Sequence, residues 1–400
     1  MCMKKWIISG ITILLLCSVV VGICIIKNKN GTSSEDMIVG NRDKFATENG
    51  FFYVGGERHM TLHFYDFKSM EDVVLCNKPN CEHLEGTIED PSTTCNAVYA
   101  GDRIVTAAIY HGKLYAILTS GIVYRSDIDG SNREEVIKLD SRVGGNAYFI
   151  NNKIYYEGKI FEKDEKTSEL TEIQEAFIGC IDLEKKTDNA ITTKIKAYSA
   201  QAFMYGIYND VIYYSISNYD HEYRENDKDN KMTIKYYQYN LKTKQESTLE
   251  NGENMQKVKG AYACYVKDID QEGTKTLNLV NLDNKKTELI YTGKELGIPR
   301  IFDDKIFYDL GTYDGKSVKF DKAKYYYFDP ATGKTNEIPF KLEAASSIVI
   351  TTETSDKFIV TISRNIVNGV SENLQAGWIL KKDYYAGKID IHTINLYPIQ

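Results

Sequence analysis

Three cysteines and a histidine, Cys76, Cys81, His83 and Cys95, are crowded into one short stretch. They come as Cys-Asn-Lys-Pro-Asn-Cys-Glu-His with a further Cys beyond it. Three thiolates and an imidazole are a standard tetrahedral zinc set, and a loop with this spacing can close around a metal without a core of its own. Four protein ligands leave no open position for water, so a zinc held this way is structural and not catalytic. The competing reading is a disulfide, which suits a domain facing an oxidising compartment. C-terminal to the apolar run at 6–26 the cysteines are 76, 81, 95, 180 and 264, an odd set that cannot pair completely among themselves. Pairing Cys76 with Cys81 or Cys95 leaves one thiol over and His83 unexplained. Cys180 and Cys264 sit in strand-like segments and read as core thiols. Metal and disulfide both stay open at this level.

No other residue pattern carries chemistry. There is no Gly-x-Ser-x-Gly elbow and no His-Glu-x-x-His. Residues 311–317 approach a phosphate loop but are one residue short and sit between strands, so they read as a hairpin. Asp127-Ile128-Asp129-Gly130 hints at a calcium loop yet lacks the later acidic ligand, and reads as a turn. His59 and His63 are four apart in a strand-like alternation, which separates them by about 13 Å, too far for one ion. Residues 220–231 are a charge-rich solvated loop. Residues 167–177 carry a capping Ser or Thr, with Leu170, Ile173 and Phe177 at helical spacing, which predicts a short helix or an ordered linker.

The elements that would position these residues are repetitive strands. A polar turn followed by alternating aromatic or branched residues recurs as Asn49-Gly50-Phe51-Phe52-Tyr53, His111-Gly112-Lys113-Leu114-Tyr115 and Asn152-Lys153-Ile154-Tyr155-Tyr156. It returns at Asn209-Asp210-Val211-Ile212-Tyr213, Asp303-Asp304-Lys305-Ile306-Phe307 and Asp356-Lys357-Phe358-Ile359-Val360, with a degenerate copy at Ala261-Tyr262-Ala263-Cys264-Tyr265. Asn, Asp and Gly tolerate the positive φ of tight hairpins. A second unit, a strand ending in Asp or Asn and a polar turn, follows most copies, as at Tyr65-Asp66, Tyr239-Asn240, Asn281 and Phe328-Asp329. Two hairpins per repeat make four strands, one propeller blade, and the spacing of about 40 to 60 residues suits such a repeat. The expected fold is therefore all-β, a β-propeller of about seven four-stranded blades. A β-sandwich is the alternative, but it does not demand the same two-hairpin unit so many times.

One copy carries a resemblance. Gly112-Lys113-Leu114-Tyr115-Ala116-Ile117, followed by Ile122 to Glu134, resembles a YWTD-type blade, the class B repeat of low-density-lipoprotein-receptor relatives. Ala116-Ile117-Leu118 stands where the family has Trp-Thr-Asp. The Cys/His stretch resembles one found in uncharacterised bacterial membrane-anchored propellers. These resemblances imply a binding or structural module and transfer no functional residue.

Residues 6–26 contain no charge and are long enough, at about 1.5 Å per residue, to cross the ~30 Å core of a bilayer. Cys17 follows Leu16 and Cys24 follows Ile23, so neither suits a lipid attachment site, and the run is longer than a cleaved leader needs. The expected organisation is a cytoplasmic stub at 1–5, a transmembrane anchor at 6–26, a linker at 27–44 and a propeller at 45–400, with the Cys/His insertion at 76–95. The bulk is expected outside a cell membrane, since long C-terminal domains translocate largely regardless of charge. A net charge of −7 with interspersed Lys and Asp/Glu argues against nucleic acid. The expected role is a binding or scaffold module for protein or glycan. The alternative is a propeller enzyme acting on glycan or peptide through carboxylates at the central channel.

Overall fold

Each turn residue of the repeat sits where the backbone requires it. His111 and Gly112, Asn151 and Asn152, Asn209 and Asp210, and Asp303 and Asp304 are four consecutive pairs with positive φ. Two successive positive φ values give the hairpin turn whose twist matches that of its strands. In the second unit the side-chain oxygens of Asp66, Asp182, Asn240 and Asn281 each accept N–H bonds from the residues two and three ahead. One device therefore closes the same turn in four repeats.

The computed structural model describes residues 37–40, 44–55, 61–84, 94–99, 102–164, 166–222, 230–249, 255–270, 272–313, 318–342, 347–367 and 370–394. Strand β1 is Ile38–Gly40, within the stretch expected as a linker. Seven antiparallel four-stranded sets, here blades, follow in chain order. Blade 1 holds β2 (Lys44–Thr47), β3 (Gly50–Gly55), β4 (Thr61–Asp66) and β5 (Asp72–Val74). Blade 2 holds β6 (Ile104–Tyr110), β7 (Lys113–Leu118), β8 (Ile122–Ser126) and β9 (Glu134–Lys138). Blade 3 holds β10 (Arg142–Ile150), β11 (Lys153–Lys163), β12 (Leu170–Asp182) and β13 (Thr187–Ala190). Blade 4 holds β14 (Ile195–Tyr208), β15 (Val211–Tyr219), β16 (Met232–Asn240) and β17 (Gln245–Thr248). Blade 5 holds β18 (Met255–Lys259), β19 (Tyr262–Asp268), β20 (Lys275–Asn281) and β21 (Thr287–Gly293). Blade 6 holds β22 (Arg300–Phe302), β23 (Lys305–Tyr313), β24 (Val318–Asp329) and β25 (Lys334–Ile338). Blade 7 holds β26 (Ser347–Glu353), β27 (Lys357–Val367), β28 (Val370–Leu380) and β29 (His392–Ile394), with the one-turn helix α1 (Lys381–Tyr385) between its last two strands.

The first strands β6, β10, β14, β18 and β22 neighbour one another in turn, and the last blade's β26 returns to pack on β2, a propeller-like ring. The apolar clusters lie between blades. Phe45, Phe52, Ile104 and Leu114 join blades 1 and 2; Phe307, Ile338, Ile350 and Phe358 join blades 6 and 7. Phe51, Tyr65, Ile359 and Trp378 close the ring between blades 1 and 7. Both faces of a blade are thus covered, which is why second strands such as β3 (GFFYVG) are buried along their whole length.

Two features depart from the simple repeat. The segment at 167–177, expected as a short helix or an ordered linker, is neither: 167–169 lead into the first part of β12. Its residues Ile173 to Ala176 pair with Tyr198 to Ile195 of β14, fusing blades 3 and 4 with β1 into one nine-stranded sheet. β13 reaches only Gly179 to Asp182, so the rest of that edge of β12 is left for β14. Second, β1 pairs with β10 and packs on β6. The anchor expected at 6–26 lies outside the described residues, and among the described residues no helix is long and apolar enough to cross a membrane.

Candidate metal centre and the acidic groups of the blades

The four expected ligands come together. One ligand atom from each of Cys76, Cys81, His83 and Cys95 lies within 4.8 Å of all the others. Leu62 of β4 explains how distant parts of the loop meet. Its carbonyl accepts the N–H of Leu75 and its own N–H donates to the carbonyl of Ala97, both at 3.0 Å. Cys76 and Cys95 are therefore held on the two sides of a single residue. Asn96 Nδ2 donates to Asn77 Oδ1 at 2.8 Å, which zips the flanks together. Left-handed backbone at Asn80 and His83 turns Cys81 and the imidazole back towards the other thiols.

The geometry fits a metal. A tetrahedral zinc with bonds of about 2.3 Å to sulfur and 2.0–2.1 Å to nitrogen places ligand atoms roughly 3.5–3.8 Å apart. His83 Nδ1 lies 3.4 Å from Cys95 Sγ. All five described cysteines are free thiols. Burial is the largest influence on Cys76 and pushes its thiol up. The backbone N–H groups of Lys78 and Asn96 and the neighbouring thiols outweigh it, so Cys76 ionises more readily than usual. Burial pushes Cys95 up to about 12. Without a cation the site resists three thiolates; a bound divalent ion supplies the charge that lets all three ionise.

The neighbouring blade braces the loop. Asn77 Nδ2 donates to Asp129 Oδ2 at 2.9 Å, and Arg133 Nη1 donates to the Val98 carbonyl at 2.7 Å while lying over the Tyr99 ring. Asp127 and Asp129 spend their carboxylates on Lys113, Asn132, Ser131 and Asn77, so the stretch at 127–130 is a turn. His63 is buried against Asp72, with Nδ1 at 3.1 Å, and stacks on Tyr53; His59 lies outside the described residues.

Carboxylates are gathered in two ways. Asp303 and Glu353 both face Lys381 Nζ at 3.0 Å, and Glu353 also meets Lys259. Tyr385 donates to Asp303 at 2.6 Å. Despite burial, which alone would raise it, the hydrogen bonds from Tyr385 and Lys381 hold Asp303 below the usual carboxylate range. This is a charged network knitting blades 5, 6 and 7. Glu157, Asp188 and Asp309 are instead pushed up, in each case chiefly by burial. Glu157 accepts Met204 N–H at 2.9 Å and Asn146 Nδ2 at 3.1 Å, and Asp188 accepts the Tyr156 hydroxyl at 2.8 Å. Among the described residues no side chain donates to the Asp309 carboxylate, and Asp309 lines a cleft with Arg300. Sequence reasoning missed this pair; the signal on offer was Pro299 immediately before the short β22.

Neither a family model nor a curated protein matches this chain. Solved structures do. An acylaminoacyl peptidase of Pyrococcus horikoshii superposes with a TM-score of 0.51 at 11% identity over 90% of this chain. The match spans 53% of that peptidase chain, about half its length. An oligogalacturonate lyase of Vibrio parahaemolyticus is similar over 87% of this chain and 92% of its own, with a TM-score of 0.46 and 9% identity. An uncharacterised protein of Listeria monocytogenes covers 74% of this chain and 80% of its own, with a TM-score of 0.42 and 11% identity. At such identities the likeness speaks to a propeller-like fold alone. Of the YWTD resemblance at residues 112–134 it supports the propeller-like fold and not the named family.

Proposed function

We propose that this chain is a membrane-anchored, extracytoplasmic propeller-like protein that binds protein or glycan, with a structural zinc at Cys76, Cys81, His83 and Cys95. The observation that carries the metal assignment is the convergence of these four side chains within 4.8 Å. Filling all four positions with protein leaves none for water, so the ion fixes the loop between β5 and β6 and does no chemistry. The binding reading rests on the paired carboxylates of blades 6 and 7. Asp303 is ion-paired with Lys381, and Glu353 with Lys381 and Lys259, which engages both carboxylates in joining blades 5, 6 and 7.

The second reading is a propeller enzyme acting on glycan or peptide. It draws its support from the company of the fold, since the similar structures named above include a lyase and a peptidase. It requires a carboxyl able to carry a proton into an open site, and Asp309 is the residue that meets that description. Incubating the full chain in detergent with oligosaccharide and peptide libraries separates the two. Retention of ligands without new reducing ends, unsaturated ends or free amines supports binding, and turnover abolished by Asp309→Asn supports the enzyme.

A further inference from the structure

The first strands of five blades share a device that blades 1 and 6 lack. β6, β10, β14, β18 and β26 each carry a register shift against the second strand of their blade. Blade 6 breaks its inner edge instead. Leu296 bridges to Leu310 and Gly297 N–H still donates to the Asp309 carbonyl at 2.9 Å; the chain then leaves the ladder at Ile298 and Pro299, and β22 resumes pairing at Arg300. Pro299 has no N–H to give a ladder, so the break is written into the chain.

The break opens a cleft of about 520 Å³ between blades 5, 6 and 7, within the size range of ligand pockets. Gly297 makes room for its floor. A Cβ there would lie 2.6 Å from Asp309 Oδ1 and 3.0 Å from Oδ2, so a larger residue would displace the carboxyl. Arg300 spends one donor, Nη1, on the Ile298 carbonyl at 2.9 Å. Among the described residues neither Arg300 nor Lys275, on the blade 5 wall, has an ion-pair partner within 4 Å. Val266, Leu296 and Val349 supply its apolar wall, and Gln256 and Ser347 also line it. A second cavity of about 20 Å³, room for one water, adjoins it and is lined by Arg300, Asp309, Tyr325 and Tyr384.

We propose that this cleft binds a carboxylate carried on an apolar arm, the carboxylate seated on Arg300 and the arm against Val266, Leu296 and Val349. The planar guanidinium fork matches a carboxylate with two parallel bonds, and Lys275 adds a second positive charge. Asp309 tunes the site. The groups facing it are Arg300 of β22, Tyr325 of β24 and Tyr384 of α1. Burial raises its carboxyl, against the pull of Arg300. Protonated, it can donate to the ligand's second oxygen; ionised, it repels the ligand. Binding therefore weakens as pH rises through the folded value of Asp309. A peptide C-terminus ending in a large apolar residue and a medium-chain aliphatic acid share this chemistry.

Isothermal titration of the full chain at pH 6 with N-acetyl-Leu-Phe, its C-terminal amide and octanoate tests the site and identifies the source. At least one of the two acids is expected to bind, and binding by only one of them names that source. If the peptide acid binds, its amide should bind at least about tenfold more weakly. Arg300→Gln should lose at least about tenfold for whichever acid binds. Arg300→Lys, which keeps the charge and loses the fork, should fall between, and it stands in for Arg300→Gln if that variant's thermal midpoint collapses. Asp309→Asn should flatten the pH dependence above the usual carboxylate range. Binding of neither acid, equal binding of peptide acid and amide, or binding indifferent to Arg300 would overturn the proposal.

Discussion

At the scale of single residues, Glu157 shows how a buried charge can be structural. The bulge in β10 and the register shift in β14 pull backbone and side-chain donors out of the ladder, and Glu157 collects Met204 N–H and Asn146 Nδ2. Gly144 backs onto it so closely that a Cβ there would lie 2.5 Å from Oε2. Glu157→Ala is expected to cost about 2–3 kcal/mol, because it leaves a buried N–H without an acceptor. Glu157→Gln keeps an acceptor and should cost less. The pH dependence has a definite sign. The folded carboxyl is raised above its unfolded value, so the fold holds the proton more tightly. That contribution is full below the unfolded value, about 4.3, and is lost as pH rises through the folded one. Urea midpoints at pH 4.5 and 8 should therefore move in favour of Glu157→Gln relative to the parent. A gap that is constant with pH would remove the titration argument.

At the scale of elements, the metal loop is a joint product of two blades. Gly130, at φ +79°, packs its α-carbon against the Leu75 and Asn96 carbonyls, where a Cβ would approach to 2.4 and 3.2 Å. Gly130→Ala should destabilise the protein by about 1–3 kcal/mol through strain and also loosen zinc. Competition with a chromophoric chelator measures the second effect, which an unrelated destabilised variant should not show. Much at this scale was legible in the sequence. Asn, Asp and Gly at positive φ and Asx turns are local requirements, so His111-Gly112 or Asn240 announce themselves. The clustering of Cys76, Cys81, His83 and Cys95 was legible for the same reason, since the four lie close together in sequence. Residues 167–177 were misread because Leu170, Ile173 and Phe177 happen to sit at helical spacing, while the pairing of β12 with β14 is decided by tertiary contact. Of the Arg300 and Asp309 cleft the sequence offers only Pro299 as a sign, because the cleft exists only when blades 5, 6 and 7 meet around a broken strand.

At the scale of the whole molecule, the ring closes without a shared strand. Among the described residues blade 1 is built from early strands and blade 7 from late ones, while β1 pairs with β10 instead of sealing the seam. Side chains do that work: the Phe51, Tyr65, Ile359 and Trp378 cluster, Phe67 edge-on to Trp378 at 5.7 Å, and Glu48 accepting from Ser355 N and Oγ at 2.9 and 2.6 Å. Trp378→Ala should cost about 3–5 kcal/mol and deprotect β2 and β26 first in hydrogen exchange, whereas Ser355→Ala should cost about 1 kcal/mol. Uniform deprotection around the ring would count against a weak seam. The Cys/His loop lies at the next joint, between β5 and β6, so an ion bound there would stiffen the ring close to its closure. Zinc and thiol content of the purified full chain test this assignment most directly. About one zinc per chain is expected, with three thiols becoming reactive when a chelator removes it. Less than about 0.2 zinc per chain, or a mass two daltons low from a disulfide among Cys76, Cys81 and Cys95, would contradict it.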